Sequence, residues 1–301
     1  MYFVTYEMKG IQQIGLLAKA KNGIIPLQSA EKEFFHQSTL PGTMMEFLEQ
    51  GEAALTIAKK IADRETNSTP LIDFKKVRLL APIPKPRKNI FCIGKNYREH
   101  ALEFEKTKDP NIAVPKFPVI FSKPPTAVIG PDAVIKSHSE VTQALDYEVE
   151  LAVVIGRRGS YIAQADAMDY VFGYTIINDV TARDLQQRHA QWLKGKGLDT
   201  FAPMGPYLVH KSEIPDPENL SISLKVNGEI RQNANTGDLV FKIPELIATI
   251  SAGITLEPGD VIATGTPAGV GAGFEPPRFL KPGDKLELAI AGLGVLCNTV
   301  G

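Results

Sequence analysis

"LDYEVELAVVIG", residues 145–156, has the Val, Ile and Leu content of a buried strand, yet it carries Asp146, Glu148 and Glu150 at every second position. Side chains alternate faces along a strand, so the three carboxylates share one face while Tyr147, Val149 and Leu151 share the other. Successive α-carbons on one face are roughly 6.6–6.8 Å apart. Like charges at that spacing repel, and the cost rises as water is withdrawn. Two readings follow. Either the face is solvated, as in a half-exposed antiparallel sheet, or a positive charge compensates. The best compensating charge is a hard divalent cation, because Mg²⁺, Mn²⁺ and Ca²⁺ take oxygen ligands.

Two strand carboxylates make an incomplete metal site. Downstream, "GYTIINDVTARDLQ" (173–186) places Asp179 where an apolar strand meets a helix. Asp179 is the candidate third ligand, and helix N-cap is the alternative. Upstream, "CIGKNYREHALEF" (92–104) aligns Tyr97, Ala101 and Phe104 on one helical stripe and sets His100 and Glu103 at i and i+3, where they meet. A carboxylate that accepts from one imidazole nitrogen leaves the other free as a general base; an exposed ion pair of little energetic weight is the plain alternative. "TGTPAGVGAG" (264–273) is glycine-rich but lacks both the Lys-Ser/Thr ending of a phosphate loop and the spacing of a dinucleotide fingerprint. Its N–H groups suit a small carboxylate, or it is a turn between strands. Lys196, in "WLKGKGLDTFAPMGP", lies in a loop that can fold over a cleft or stay solvated.

The rest of the chain supplies the frame. Its 301 residues are enough for a sizeable core, and 44% hydrophobic with 22% charged residues is ordinary globular composition. A formal charge of −1 gives no pull toward nucleic acid or anionic membrane. No basic stripe, nucleic-acid motif or lipidation signal is present, and no apolar run nears the ~20 residues of a membrane span. No signal peptide is legible, and Cys92 and Cys297, each in an apolar context, read as free thiols of a reducing cytosol. Residues 1–75 read as a small α/β piece, with helical spacing interrupted at Gly51 in "TMMEFLEQGEAALTIAKKIADRE" (43–65). "APIPKPRK" (81–88) is a proline-rich connector within a linker at 76–88.

From 89 to 301 the pattern changes to short strands with Pro-Gly turns, among them "NIFCIG", "VIFSKP", "SISLKVNGEI", "DVIATGTP" and "KLELAI". "EPGD" (257–260) and "KPGD" (281–284) each precede a strand, as type II turns do. Helices are expected at 96–106, 181–194 and 242–251. The fold class is therefore α+β, mainly β, with a closed or rolled sheet and not a doubly wound one.

Taken in order, "NIFCIGKNYREHALEF", "KPPTAVIGP", "LDYEVELAVVIG", "GYTIINDVTARDLQ", "KGKGLDTFAPMGP", "VNGEIRQ" and "TLEPGDVIATGTPAGVG" resemble the fumarylacetoacetate hydrolase (FAH) family over roughly residues 85–300. The likeness is greatest to its acylpyruvase and oxaloacetate decarboxylase subgroup, and to the bacterial YisK type in the added N-terminal piece. The resemblance implies a β-roll catalytic domain, a homodimer, and Mg²⁺ or Mn²⁺ held by Glu148, Glu150 and Asp179. It places a His100–Glu103 dyad on a mobile lid, an active-site lysine at Lys196, and substrate-orienting groups at Arg183, Gln186 and Thr266. Relatives often have Lys-Ser-Phe where this chain has Lys196-Gly197-Leu198, which leaves Lys194 as an alternative for the lysine.

A 2-oxo acid would chelate such an ion through its carboxylate and keto oxygens, and charge developing there as an enolate would be stabilised. The implied activity is first decarboxylation of oxaloacetate. Second comes hydrolysis of an acylpyruvate such as fumarylpyruvate or acetylpyruvate, with His100 and Glu103 activating water. Third comes isomerisation of a 2-hydroxyhepta-2,4-diene-1,7-dioate-type diacid. A non-catalytic binding or scaffolding role, with the N-terminal piece as partner surface, is the reading from a different class.

Overall fold

The protein is described by a computed structural model that covers residues 1–66, 68–105 and 109–301. Its centre is the antiparallel pair Val149–Ile155 and Val171–Asn178, in which every residue is buried. Strands buried on both faces need continuous apolar runs, and "VELAVVI" and "VFGYTIIN" supply them. These two strands lie within an 11-stranded sheet that extends on one side through Ala202–His210 to Tyr2–Met8, Ile11–Leu17 and Ile24–Pro26. On the other side it continues through Val261–Ala263 and Ile90–Gly94 to Val119–Lys123. A second, five-stranded sheet built around Ser221–Val226, Lys285–Ile290 and Gly294–Val300 contacts the central strands. The architecture is strand-rich α+β.

Tyr2–Met8 pairs antiparallel with Ala202–His210, and Arg78–Leu79 pairs with Tyr2–Met8. The core is continuous across that junction: the Phe3 ring lies 5.1 Å from Phe47 and 5.6 Å from Phe172. Truncating Phe172 to alanine would cost about 3–5 kcal/mol, since the cavity would open between both groups of elements.

Local turn chemistry follows the sequence. Asp260 N–H donates to Glu257 O and Asp284 N–H to Lys281 O, both at 3.0 Å, with Gly259 and Gly283 at φ +88° and +93°. That is the left-handed third position a type II turn requires. The helical run after Thr43 is divided at Gly51 into Met44–Gln50 and Glu52–Asp63. The helix expected at 242–251 is observed over Ile243–Ser251. That expected at 96–106 is observed over Arg98–Glu105, and position 106 lies outside the described residues. Among the described residues no helix is long and apolar enough to cross a membrane. Cys92 and Cys297 are free, and burial pushes the Cys92 thiol well up.

Two expectations need correction. Residues 145–156 are not one strand: Leu145–Asp146 pairs with Thr181–Ala182 in a separate two-stranded ribbon, and the long strand begins at Val149. Side chains take the backbone donors between them. Tyr147 N–H goes to Asp146 Oδ1, Glu148 N–H to Asn178 Oδ1 and Val149 N–H to Gln232 Oε1, at 2.9, 3.0 and 3.0 Å. Nor is 181–194 one helix. Helix Arg183–Arg188 ends at an extended His189, and a separate turn follows at Leu193–Lys196. Gly195 fits against the first helix because a Cβ there would meet Gln186 N at 2.5 Å.

Candidate active site

Strand register assembles the acidic cluster. Val149 pairs with Asn178, which sets Asp179 beside Glu148, and Asp179 N–H donates to Glu148 O at 2.9 Å. On the other edge, Ala152 pairs with Ala263, so the following residues run back past Glu150. Gly265 N–H donates to Glu150 Oε2 at 2.9 Å, and Thr264 N–H to Leu151 O at 3.0 Å. Gly265, at φ +107°, occupies a conformation that L side chains rarely adopt. Oxygen atoms of Glu148, Glu150 and Asp179 lie within 4.8 Å of one another, and all three residues are buried. The solvated face is excluded, and Asp179 is not an N-cap, since the next helix is capped at Ala182.

Three buried cations share the cluster. Lys196 Nζ reaches Glu148 Oε2 and Asp179 Oδ2, each at 2.7 Å. Arg183 spans Asp146 Oδ2 at 2.8 Å and Glu148 Oε1 at 2.6 Å. Lys123 pairs with Asp179 Oδ1 and donates to Val180 O at 3.0 Å. Asp146, Glu148, Glu150 and Asp179 contribute −4 and the three cations +3, leaving −1. Glu150 carries the imbalance: it is 1% exposed and enters no ion pair among the described residues.

Burial, then the neighbouring Asp179 and Glu148 carboxylates, pushes the Glu150 carboxyl well above the usual range. Burial acts the same way on Glu148, but the Lys196 ammonium and Arg183 guanidinium outweigh it and hold that carboxyl well below. For Lys123, burial prevails over Asp179 and lowers the ammonium; for Lys196, Asp179 and Glu148 prevail over burial and raise it. A cluster of three buried oxygen donors with one negative charge uncompensated suits a hard divalent cation.

The other expected residues converge on the same place. One pocket is lined by His100, Glu148, Glu150, Arg183, Gln186, Lys196 and Thr266, and encloses about 290 Å³ including its mouth. His100, 5% exposed, bonds Glu103 Oε2 through Nδ1 at 3.3 Å, so the pair is not a surface ion pair. Glu103 in turn accepts from Gly269 N–H at 3.1 Å and packs so tightly on Gly273 that a Cβ there would overlap its carboxylate. The glycine-rich loop therefore seats the dyad. Asn96, fully buried, anchors the start of that segment by donating to Thr264 O at 2.7 Å and Phe241 O at 3.0 Å. Gln186 accepts from Arg183 Nη1 at 3.2 Å. Thr266 Oγ1 donates to Val149 O at 3.0 Å and accepts from Gln232 Nε2 at 2.8 Å. Lys194 is exposed and takes no part. Phe121, Trp192 and Phe104 form an aromatic wall, with centroids 5.2 and 5.9 Å apart in succession.

Sequence reasoning missed Lys123, whose only signal was a lysine closing the apolar strand "VIFSK". Asp146 lies outside the three-carboxylate group but is joined to it through Arg183, a role its place in the sequence did not reveal. Asp146 accepts from Gly271 and Ala272 N–H at 2.6 and 2.9 Å and binds the glycine-rich loop to Arg183.

The chain is 49% identical to oxaloacetate tautomerase YisK of Bacillus subtilis, with 100% of both chains covered. It is 46% identical to the mitochondrial oxaloacetate tautomerase FAHD2A of Bos taurus, over 95% of this chain and 87% of that one. The fumarylacetoacetate hydrolase structure from psychrophilic Exiguobacterium antarcticum superimposes with a TM-score of 0.82 at 37% identity, covering 100% of this chain and 99% of the other. The sequence model described as fumarylacetoacetate (FAA) hydrolase C-terminal matches residues 89–301, and the chain belongs to the fumarylacetoacetate hydrolase family of enzymes.

Proposed function

We propose that this protein acts on oxaloacetate at a divalent-metal site formed by Glu148, Glu150 and Asp179, through an enolate of the 2-oxo acid. The observation that carries the reading is Glu150, a buried carboxylate beside two others that enters no ion pair among the described residues. The substrate comes from the relatives, which are named oxaloacetate tautomerases. A divalent cation, Mg²⁺ or Mn²⁺, supplies positive charge where the substrate's carboxylate and keto oxygens bind.

Keto–enol interconversion moves a proton between C3 and the C2 oxygen, whereas decarboxylation breaks C3–C4. Both place negative charge on the C2 oxygen, and only the first needs a base at C3. His100 is that base in this proposal. With Glu103 accepting from Nδ1–H, the Nε2 lone pair takes the C3 proton and delivers it to the C2 oxygen to give the enol, and the reverse transfer restores the ketone. Tautomerisation is thus the main reaction and decarboxylation its branch. Gln186 orients the substrate at the cluster, Lys196 and Arg183 hold the Glu148 and Asp179 carboxylates in place, and Thr266 fixes the loop beneath it. Hydrolysis of an acylpyruvate is the second reading, favoured by the same dyad, which can equally activate water.

The test is turnover by Mn²⁺-loaded protein, following decay of the oxaloacetate enol and release of pyruvate separately. Enol decay accelerated well above free Mn²⁺ supports the proposal. Rates equal to free Mn²⁺, with rapid cleavage of acetylpyruvate, would replace it by the hydrolase reading.

The proposal extends to organisation: residues 89–301 as the catalytic unit, 76–88 as connector and 1–75 as a small added lobe. We place a homodimer in the cytoplasm, with a small 2-oxo acid and no nucleic acid as its partner. The span of the family match supports the catalytic unit, and the two free cysteines support a reducing compartment.

A further inference from the structure

Among the described residues three cationic side chains line the pocket: Arg183, Lys196 and Lys95. The first two are committed. Arg183 binds Asp146 and Glu148, Lys196 binds Glu148 and Asp179, and all of these side chains are at most 5% exposed. Withdrawing either cation would strand a buried carboxylate. Lys95 differs. Its ammonium pairs with Glu105 at the far end of the Arg98–Glu105 helix and sits 4.9 Å from the Phe104 ring centre. Glu105 is 35% exposed, so water can solvate it when the pair opens. Lys95 is 19% exposed, so its exchange from Glu105 to another carboxylate keeps a charged partner on the ammonium and leaves only the more exposed Glu105 to water. Lys95 is also held at φ +56°, a left-handed conformation that fixes where its side chain leaves the strand Ile90–Gly94.

We infer that Lys95 is the specificity-determining residue for the far carboxylate of a dicarboxylic 2-oxo acid, releasing Glu105 to bind it. The inference rests on the oxaloacetate reading, in which the 2-oxo carboxylate end faces the acidic cluster. The second carboxylate then needs a positive group that is not already neutralised by a buried carboxylate, and among the described residues Lys95 is the pocket-lining cation that meets this requirement. A neutral far end gains nothing from it. Lys95 thereby selects dianionic over monoanionic 2-oxo acids.

The experiment compares wild type, Lys95→Met, Lys95→Arg and Glu105→Gln, all Mn²⁺-loaded, for oxaloacetate kcat and KM and for competitive inhibition by pyruvate, which lacks the far carboxylate. Losing a charged hydrogen bond to substrate should raise the KM of Lys95→Met about 10- to 100-fold, with a smaller change in kcat. Inhibition by pyruvate should be unchanged, Lys95→Arg should recover most of the loss, and Glu105→Gln should leave KM equal or lower. If Lys95 only latches the helix, Glu105→Gln will reproduce Lys95→Met and pyruvate inhibition will weaken in both, which overturns the inference. Unchanged KM in an active Lys95→Met also overturns it and leaves the reaction assignment standing. A wild type inactive on oxaloacetate removes both.

Discussion

Lys196 bridges Glu148 and Asp179, with Nζ 2.7 Å from a carboxylate oxygen of each. It holds together two acidic groups delivered by different strands. Lys123 supports Asp179 from the other side. The cluster is therefore built with cations already in place, yet one carboxylate is left over.

Replacing Lys196 by Met should leave Glu148 and Asp179 without that cation in a buried setting. Metal-free stability should fall by about 3–5 kcal/mol, the cost of breaking a buried pair from one side. Turnover should fall at least about 10²-fold. Lys194→Met, at an exposed position two residues earlier, should change stability by no more than about 0.5 kcal/mol and leave turnover intact. Denaturant melts and oxaloacetate assays on both variants check this; equal effects at the two positions would refute the assignment of the lysine.

His100→Asn should lower turnover by about 10²–10⁴-fold, the usual contribution of a positioned general base. Mn²⁺ affinity should stay within a few-fold of wild type, because His100 is not among the proposed ligands. Calorimetric titration beside the assay separates the two effects. Activity above half of wild type would remove the dyad from the mechanism.

Gly273→Ala tests the seat of that dyad. The added methyl overlaps the Glu103 carboxylate, which can swing away, so the damage should be local. Turnover should drop toward that of Glu103→Gln while the melting temperature shifts by only a few degrees. A large loss of stability with normal specific activity would contradict this.

Away from the site, His210 gives the fold a pH dependence. Burial, then the Met1 amine, Lys59 and Lys211, lowers its imidazole to about 4, against a weaker opposing pull from Glu213. The unfolded chain thus binds the proton more readily than the folded one. Stability should be full above about pH 6.5 and should decline as pH falls toward 4. In His210→Gln that slope should flatten, as read from melts between pH 4 and 7; an unchanged slope would exclude His210 as its source.

Much of this was legible in the sequence because chemistry and period coincide. The spacing of Glu148 and Glu150, the His100–Glu103 interval and the glycine-rich loop each pointed to one place: Glu148, Glu150, His100 and Thr266 line one pocket, and Glu103 holds His100 from behind. What failed were continuities. The 145–156 strand breaks because the adjacent Asp146 side chain and those of Asn178 and Gln232, distant in sequence, capture its backbone donors. The 181–194 helix breaks so that Lys196 can return to the cluster, and helical spacing alone does not encode that return. Lys123 was overlooked for a related reason. A lysine at a strand end reads as solvated until the fold supplies Asp179 56 residues away.

The most direct test is a calorimetric Mn²⁺ titration of wild type and Glu150→Gln, with circular dichroism as the control for folding. Removing the uncompensated charge should leave the metal-free variant at least as stable as wild type. Wild type should take up one Mn²⁺ per chain, and Glu150→Gln should show no saturable binding. Stoichiometric binding of undiminished affinity in the folded variant would contradict the three-carboxylate site.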